Sequence, residues 1–261
     1  MSGSGSGPLR YRVNAGVAHL TLDRPEKRNA LDRSLVKALS EALVRAERDV
    51  DVRVLLLRGA GKDFCSGADL AELEAVAEAG AEASLEDARL LGALFVGIRR
   101  HSKPVLAAVH GRALAGGCGL AVACDAVLAR DDAELGFPEV HLGFVPAMVM
   151  AILRRKVVEG RAFELVTRGD RIPAVRAEEI GLVTRLFPRA SFDEDVETYA
   201  HELAERPATA VSLTKRLLYG LDGPSFEEGI GRGAEMNTLA RLTEECRDGV
   251  RAFLERSRTS G

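Results

Sequence analysis

The segment GRALAGGCGLAVACD, residues 111–125, sets glycines at 111, 116, 117 and 119 among small apolar residues. It follows KPVLAAVHG, a nearly continuous apolar run of the kind that forms a strand buried on both faces. Glycines between such a strand and a helix bare the N–H groups of the first helical turn, which stabilise negative charge. A second loop of small residues, FCSGADL, also follows a buried run, VRVLLLRG, and also opens a helix. Two such loops can converge on one oxygen with two backbone donors, forming an oxyanion hole for an enolate or a tetrahedral oxyanion. Glu139, in GFPEVHLG, follows Pro138 in an apolar setting that would desolvate its carboxyl and raise its pKa. A carboxyl tuned in this way can give or take a proton beside a carbonyl. The bland alternatives are packing glycines and a solvated loop glutamate.

The elements that must position these groups alternate along the chain. Residues 11–13 and 17–22 read as two short strands turning at Asn14-Ala15-Gly16. Leu35, Val36, Leu39, Leu43 and Ala46 recur at helical spacing, with Asp32 as N-cap. SLEDARLLGALFVGIRR reads as a second amphipathic helix capped by Ser84, and AVLARD and AELGF as short strands. From Ala147 onward the pattern is mostly helical. The division expected is a linker at 1–8, a mixed α/β core at 9–190 and a helical region at 191–261. The opening MSGSGSG has linker composition and is set outside the fold argument.

Composition excludes several classes. A net charge of −3 and a pI near 6.0 offer no basic face for nucleic acid. The longest apolar run, residues 144–153, is too short to cross a bilayer, and no signal-like segment is visible. Cys65, Cys118, Cys124 and Cys246 form no C-x-x-C pair and read as free thiols in a reducing, cytoplasmic compartment. The glycine spacing after Gly111 is five, one and two, which fits neither the dinucleotide fingerprint nor the P-loop. Asp69 and Asp125 read as structural, at a helix start and at a helix-to-strand turn.

Taken in order, DRPEKRNAL, GKDFCSGADL, KPVLAAVHGRALAGGCGLAVACD, AELGFPEVHLGFVP, GDRIPAVRAEEIGLV and SLTKRLL resemble the crotonases, the enoyl-CoA hydratase/isomerase superfamily. The resemblance spans nearly the whole chain after the linker. It implies an α/β fold built as a spiral of β-β-α units, with a C-terminal helical oligomerisation region that forms trimers or dimers of trimers. It also implies that the N–H groups of Ala68 and Gly116 hold the thioester carbonyl of an acyl-CoA. Lys27 and Arg28 would meet the coenzyme A phosphates, with Lys215 a weaker candidate. Asp69, Leu70, Gly117 and Gly119 would complete the substrate's surroundings. No metal and no redox cofactor are implied, and coenzyme A enters as part of the substrate.

The chain departs from the pattern at one place. Hydratases of the best-known kind carry two glutamates; Glu139 matches the second, but the first falls on Gly119. The expected function is reversible hydration of a 2-enoyl-CoA thioester by Glu139 alone. The alternative is 3-enoyl-CoA to 2-enoyl-CoA isomerisation by the same glutamate. A third reading, of another class, is an acyl-CoA-binding protein with little turnover. Dienoyl-CoA isomerases need a further acid where this chain has Ala147, and dehalogenases an aspartate near Val145 and Pro146.

Overall fold

The computed structural model describes residues 7–259. The chain opens with the antiparallel strands β1 (Leu9–Asn14) and β2 (Val17–Leu22), followed by helix α1 (Arg33–Arg48). Strand β3 (Val54–Gly59) leads to helices α2 (Leu70–Glu78) and α3 (Ala81–Arg100). The next turn runs through β4 (Val105–Val109), β5 (Arg112–Leu114) and α4 (Gly116–Ala123). Then come β6 (Ala126–Arg130), β7 (Glu134–Gly136), α5 (Ala147–Lys156) and α6 (Glu159–Arg168). After β8 (Arg171–Pro173), α7 (Ala174–Glu179) and β9 (Arg185–Phe187) the chain is helical: α8 (Phe192–Ala204), α9 (Ala208–Gly220), α10 (Phe226–Arg241) and α11 (Glu244–Thr259).

Six strands form one sheet in the order β1-β2-β3-β4-β6-β9, parallel from β2 onward, and β5-β7-β8 form a second. Consecutive strands β4 and β5, like β6 and β7, lie in different sheets, so the chain advances as a spiral of strand, strand and helix. The strands that were expected to be buried on both faces are. Leu55 and Leu57 of β3 enter the main core, while Val54 and Leu56, pointing the other way, meet Phe192, Val196 and Ala200 of α8. Among the described residues no helix is long and apolar enough to cross a membrane.

Local chemistry accounts for the helices that matter to the site. Asp32 caps α1, accepting from the Leu35 N–H at 2.7 Å, and the predicted apolar face is buried. Ser84 does not cap α3. Gly80, at φ 100°, breaks the chain between α2 and α3, and the helix starts at Ala81; the Ser84 hydroxyl donates back to the Gly80 carbonyl instead. Helix α4 is buried over every residue but Gly116, as its all-apolar composition requires. Its first turn begins at Gly116, the one partly exposed residue of α4, and that turn's N–H groups have no partner within the helix.

Candidate active site

Two loops meet at the start of α4, stitched together by main-chain bonds. Cys65 N–H donates to the Arg112 carbonyl at 3.1 Å, and Leu114 N–H donates to the Cys65 carbonyl at 3.0 Å. Gly67, at φ 103°, makes the approach possible: a Cβ there would stand 2.8 Å from Ala115 Cβ. On the other side, Leu31 N–H donates to the Gly67 carbonyl and Asp69 N–H donates to the Leu31 carbonyl. Both bonds to Leu31 come from the neighbours of Ala68, so the Ala68 N–H is turned to the opposite side. Ala115 holds a left-handed conformation (φ 51°) unusual for a residue with a side chain; its N–H is fixed by the Gly136 carbonyl at 2.9 Å. Gly116 follows as the first residue of α4, with one of the free donors of the first turn.

The two glycines that open α4 act differently. A Cβ on Gly117 would lie 2.4 Å from the Cys65 carbonyl oxygen, so Gly117 is required for α4 to seat on the Cys65 loop. A Cβ on Gly116 would find ordinary contacts, Leu31 Cδ1 at 3.5 Å and the Ala68 nitrogen at 4.0 Å. The protein itself does not forbid a side chain at 116; a side chain there would stand beside the Ala68 donor.

Ala68 and Gly116 open on a cavity of about 510 Å³ that is also lined by Lys27, Arg28, Asp69, Leu70 and Glu139. Gly117 and Gly119 are not among its lining residues. Glu139 sits in a short 3-10 helix, Pro138–Leu142, and is only 8% exposed. Its Oε2 is buried without a hydrogen-bond partner, and burial raises its pKa above the ordinary glutamate value. Apart from Ser66 the remaining walls are apolar, among them Leu73 of α2, Leu91 and Phe95 of α3, and Met148 and Val149 of α5.

The charged groups divide into mouth and frame. Lys27 and Arg28 are exposed at the rim. Asp69 caps α2, accepting from Ala71 N–H, and pairs with Arg24 at 3.1 Å. Burial works to raise its pKa, but the Arg24 hydrogen bond and nearby Lys27 outweigh it and hold the carboxyl below its usual range. Arg24 also pairs with Asp32 at 2.9 Å, tying α1 to α2. Asn29, fully buried at φ 56°, donates to the carbonyls of Ala60 and Asp63. Arg24 and Asn29, organisers of the DRPEKRNAL loop, were missed as individuals, although the motif that contains them stands out.

Lys215 is a correction. Its side chain is 7% exposed, and its ammonium bonds Asp125 at 2.7 Å and the carbonyls of Ile98 and Lys103, so it is not free to meet a phosphate. Asp125 also accepts from the Val105 N–H and the Tyr219 hydroxyl, which confirms its structural role. Cys65 and Cys124 are free and buried, and burial pushes their thiols up to about 12, away from the thiolate form. His141 is exposed and outside the cavity lining.

Residues 12–260 match the model of the enoyl-CoA hydratase/isomerase family. The chain belongs to this family. A Thermus thermophilus protein named "Putative enoyl-CoA hydratase" is 42% identical over 240 residues, covering 92% of this chain and 95% of its own. The 2,3-dehydroadipyl-CoA hydratase of Escherichia coli is 34% identical over 92% of each chain. The crystal structure of an enoyl-CoA hydratase from Mycobacterium smegmatis superposes with a TM-score of 0.91 at 31% identity, covering 95% of this chain and 96% of that one. The spiral described above is thus the crotonase fold, with its C-terminal helical region.

Proposed function

We propose that this enzyme adds water reversibly to a 2-enoyl-CoA thioester. The observation that carries the reading is the buried, unpartnered carboxylate oxygen of Glu139 in the cavity onto which Ala68 and Gly116 open. The thioester oxygen would accept from the N–H groups of Ala68 and Gly116, which stand ready for the charge of an enolate. Glu139 would take a proton from water as its oxygen bonds the β-carbon, then return that proton to the α-carbon. One water is consumed and the glutamate ends as it began. Lys27 and Arg28 would meet the coenzyme A phosphates. No group beyond the coenzyme A of the substrate is used, and hydratase names among the relatives support the assignment.

A second reading rests on a specific contact. The space beside Gly119 is taken by hydrocarbon, since a Cβ there would lie 3.1 Å from Phe95 Cζ and 3.4 Å from Val149 Cγ2. With no second polar group at this place, Glu139 would instead carry a proton from the α- to the γ-carbon of a 3-enoyl-CoA, shifting the double bond. The test is an assay on crotonyl-CoA and on a 3-enoyl-CoA, with products separated and weighed, for wild type and Glu139→Gln. Gain of water on the first substrate, lost by at least about a hundredfold in the variant, is the expected result. Double-bond migration alone establishes the isomerase. Undiminished turnover in the variant overturns both, and silence of the wild type on both substrates with acyl-CoA still bound leaves a binding protein.

A further inference from the structure

Helix α8 packs on β2 and β3 through Val196 and Ala200, and beside it, on the same face of the sheet, lies a second cavity of about 560 Å³. Its lining is polar throughout, and none of its residues lines the cavity that holds Glu139. The strand register sets its floor. Arg10 of β1, Thr21 of β2 and Arg58 of β3 stand in one row across three strands, and Arg12 and His19 stand in the next. Neighbouring strands are about 4.8 Å apart, so the backbones of Arg10 and Arg58 flank Thr21 at a span of about 10 Å. Glu197 and His201 of α8 form the wall.

Three arginines face one lining acid, Glu197, in a chain whose net charge is −3. Arg12 makes no ion pair among the described residues. Arg10 pairs with Asp23 at 2.9 Å, and Arg58 with Asp193 at 3.4 Å and Glu197 at 3.7 Å; Arg10 and Asp193 are mostly exposed. Exposed pairs of this kind are worth little and leave guanidinium donors to spare. His19 Nδ1 lies 3.6 Å from Glu197, while its Nε2 is buried with no partner. Buried polar atoms are paired as a rule, so an orphan in the wall of a polar cavity marks a place for a ligand atom. Charged side chains on an edge strand also guard it against pairing with another chain. That accounts for Arg10 and Arg12 on β1, but not for Arg58 two strands in, nor for the His19 nitrogen.

We infer that this cavity is a binding site for a small molecule bearing a diphosphate, held by Arg10, Arg12 and Arg58 around the Thr21 hydroxyl. Guanidinium groups on both sides of Thr21 can each fork onto a phosphoryl group, an arrangement that two linked phosphoryl groups satisfy better than one. The site does not depend on the acyl-CoA reading above.

Calorimetric titration of the whole chain with inorganic pyrophosphate, at constant ionic strength, is expected to show saturable binding at one site per chain. Arg12→Gln, on the exposed edge strand, is expected to weaken it by about tenfold, the range for one hydrogen bond to a charged group, with thermal unfolding checking that the variant is folded. The pair Lys27→Gln and Arg28→Gln, at the mouth of the other cavity, is expected to leave it unchanged. ADP as a second titrant separates the sources. Binding at least as tight as that of pyrophosphate assigns the diphosphate of a nucleotide, and binding of pyrophosphate alone assigns the free anion. No saturable binding of either anion, full binding in folded Arg12→Gln, or loss of binding with the Lys27 and Arg28 pair overturns the proposal.

Discussion

At the scale of single residues, Gly116 and Gly117 separate fold from function. A methyl group at 116 meets only ordinary contacts, whereas at 117 it collides with the Cys65 carbonyl. Gly116→Ala is expected to leave the thermal midpoint unchanged or slightly raised, since alanine favours the helical backbone. Its kcat/KM is expected to fall by about a hundredfold, the range for losing one oxyanion donor. Gly117→Ala is expected to lower the midpoint sharply, because the nearest atoms are backbone. Glu139 gives a prediction of the same grain. Burial raises its pKa, so the folded chain holds that proton more tightly than the unfolded chain does. The corresponding stability is present at low pH and is lost as the pH rises through the raised value. Glu139→Gln, which never ionises, should therefore unfold at a higher temperature than wild type at pH 7, with the gain shrinking as the pH falls toward 4.5. A variant that gains stability while losing turnover shows that the carboxylate is held at a cost for chemistry.

At the scale of elements, helix α9 is joined to the sheet by a polar linkage rather than by an apolar face alone. Lys215 reaches between α3 and the start of β4, and Asp125 at the head of β6 receives it together with Tyr219. Lys215→Met removes the cation and leaves the carboxylate half of a mostly buried pair; a loss of about 3 kcal/mol in urea unfolding is expected. Affinity for hexanoyl-CoA should be unchanged, since the ammonium faces the core, and a loss of affinity without a loss of stability would restore it as a ligand contact. Sequence patterning could not reveal this because a lysine at helical spacing looks the same whether it faces solvent or a buried aspartate. The long apolar strands β3 and β4, the capped α1 and the two glycine-bearing loops were legible, since periodicity and glycine density report burial and backbone approach directly. The three-residue strands β5, β8 and β9 were not, because they are defined by their partners across the sheets rather than by their own residues. Phe95 was visible only as part of an apolar helix face. Its meaning depends on α4 bringing Gly119 against it, a contact between segments more than twenty residues apart.

At the scale of the whole molecule, the C-terminal helices present more apolar surface than a lone chain can cover. Phe226 is 78% exposed, Leu242 62% and Ile230 61%, on α10 and the residue that ends it. Leu218 of α9 and Phe253 of α11 are exposed to a similar degree, so the apolar residues are spread over three helices that pack on one another. Surface of this extent marks an interface. We propose that a second copy of the chain covers it, in the trimer or pair of trimers, closed by rotation, that the resemblance to the crotonases implies. A second group of exposed apolar residues, Leu142, Phe144 and Val145, rims the cavity, where a bound acyl chain or a neighbouring copy would cover it. Light scattering on the eluting protein is expected to give a mass of three or six chains. The pair Phe226→Asp and Ile230→Asp places charges in the proposed contact and is expected to yield single chains, while Glu139, Ala68 and Gly116, all on the spiral core, keep their local arrangement. A wild-type monomer would show that these helices meet something other than another copy. An assembly unmoved by the paired aspartates would place its interface elsewhere on the chain.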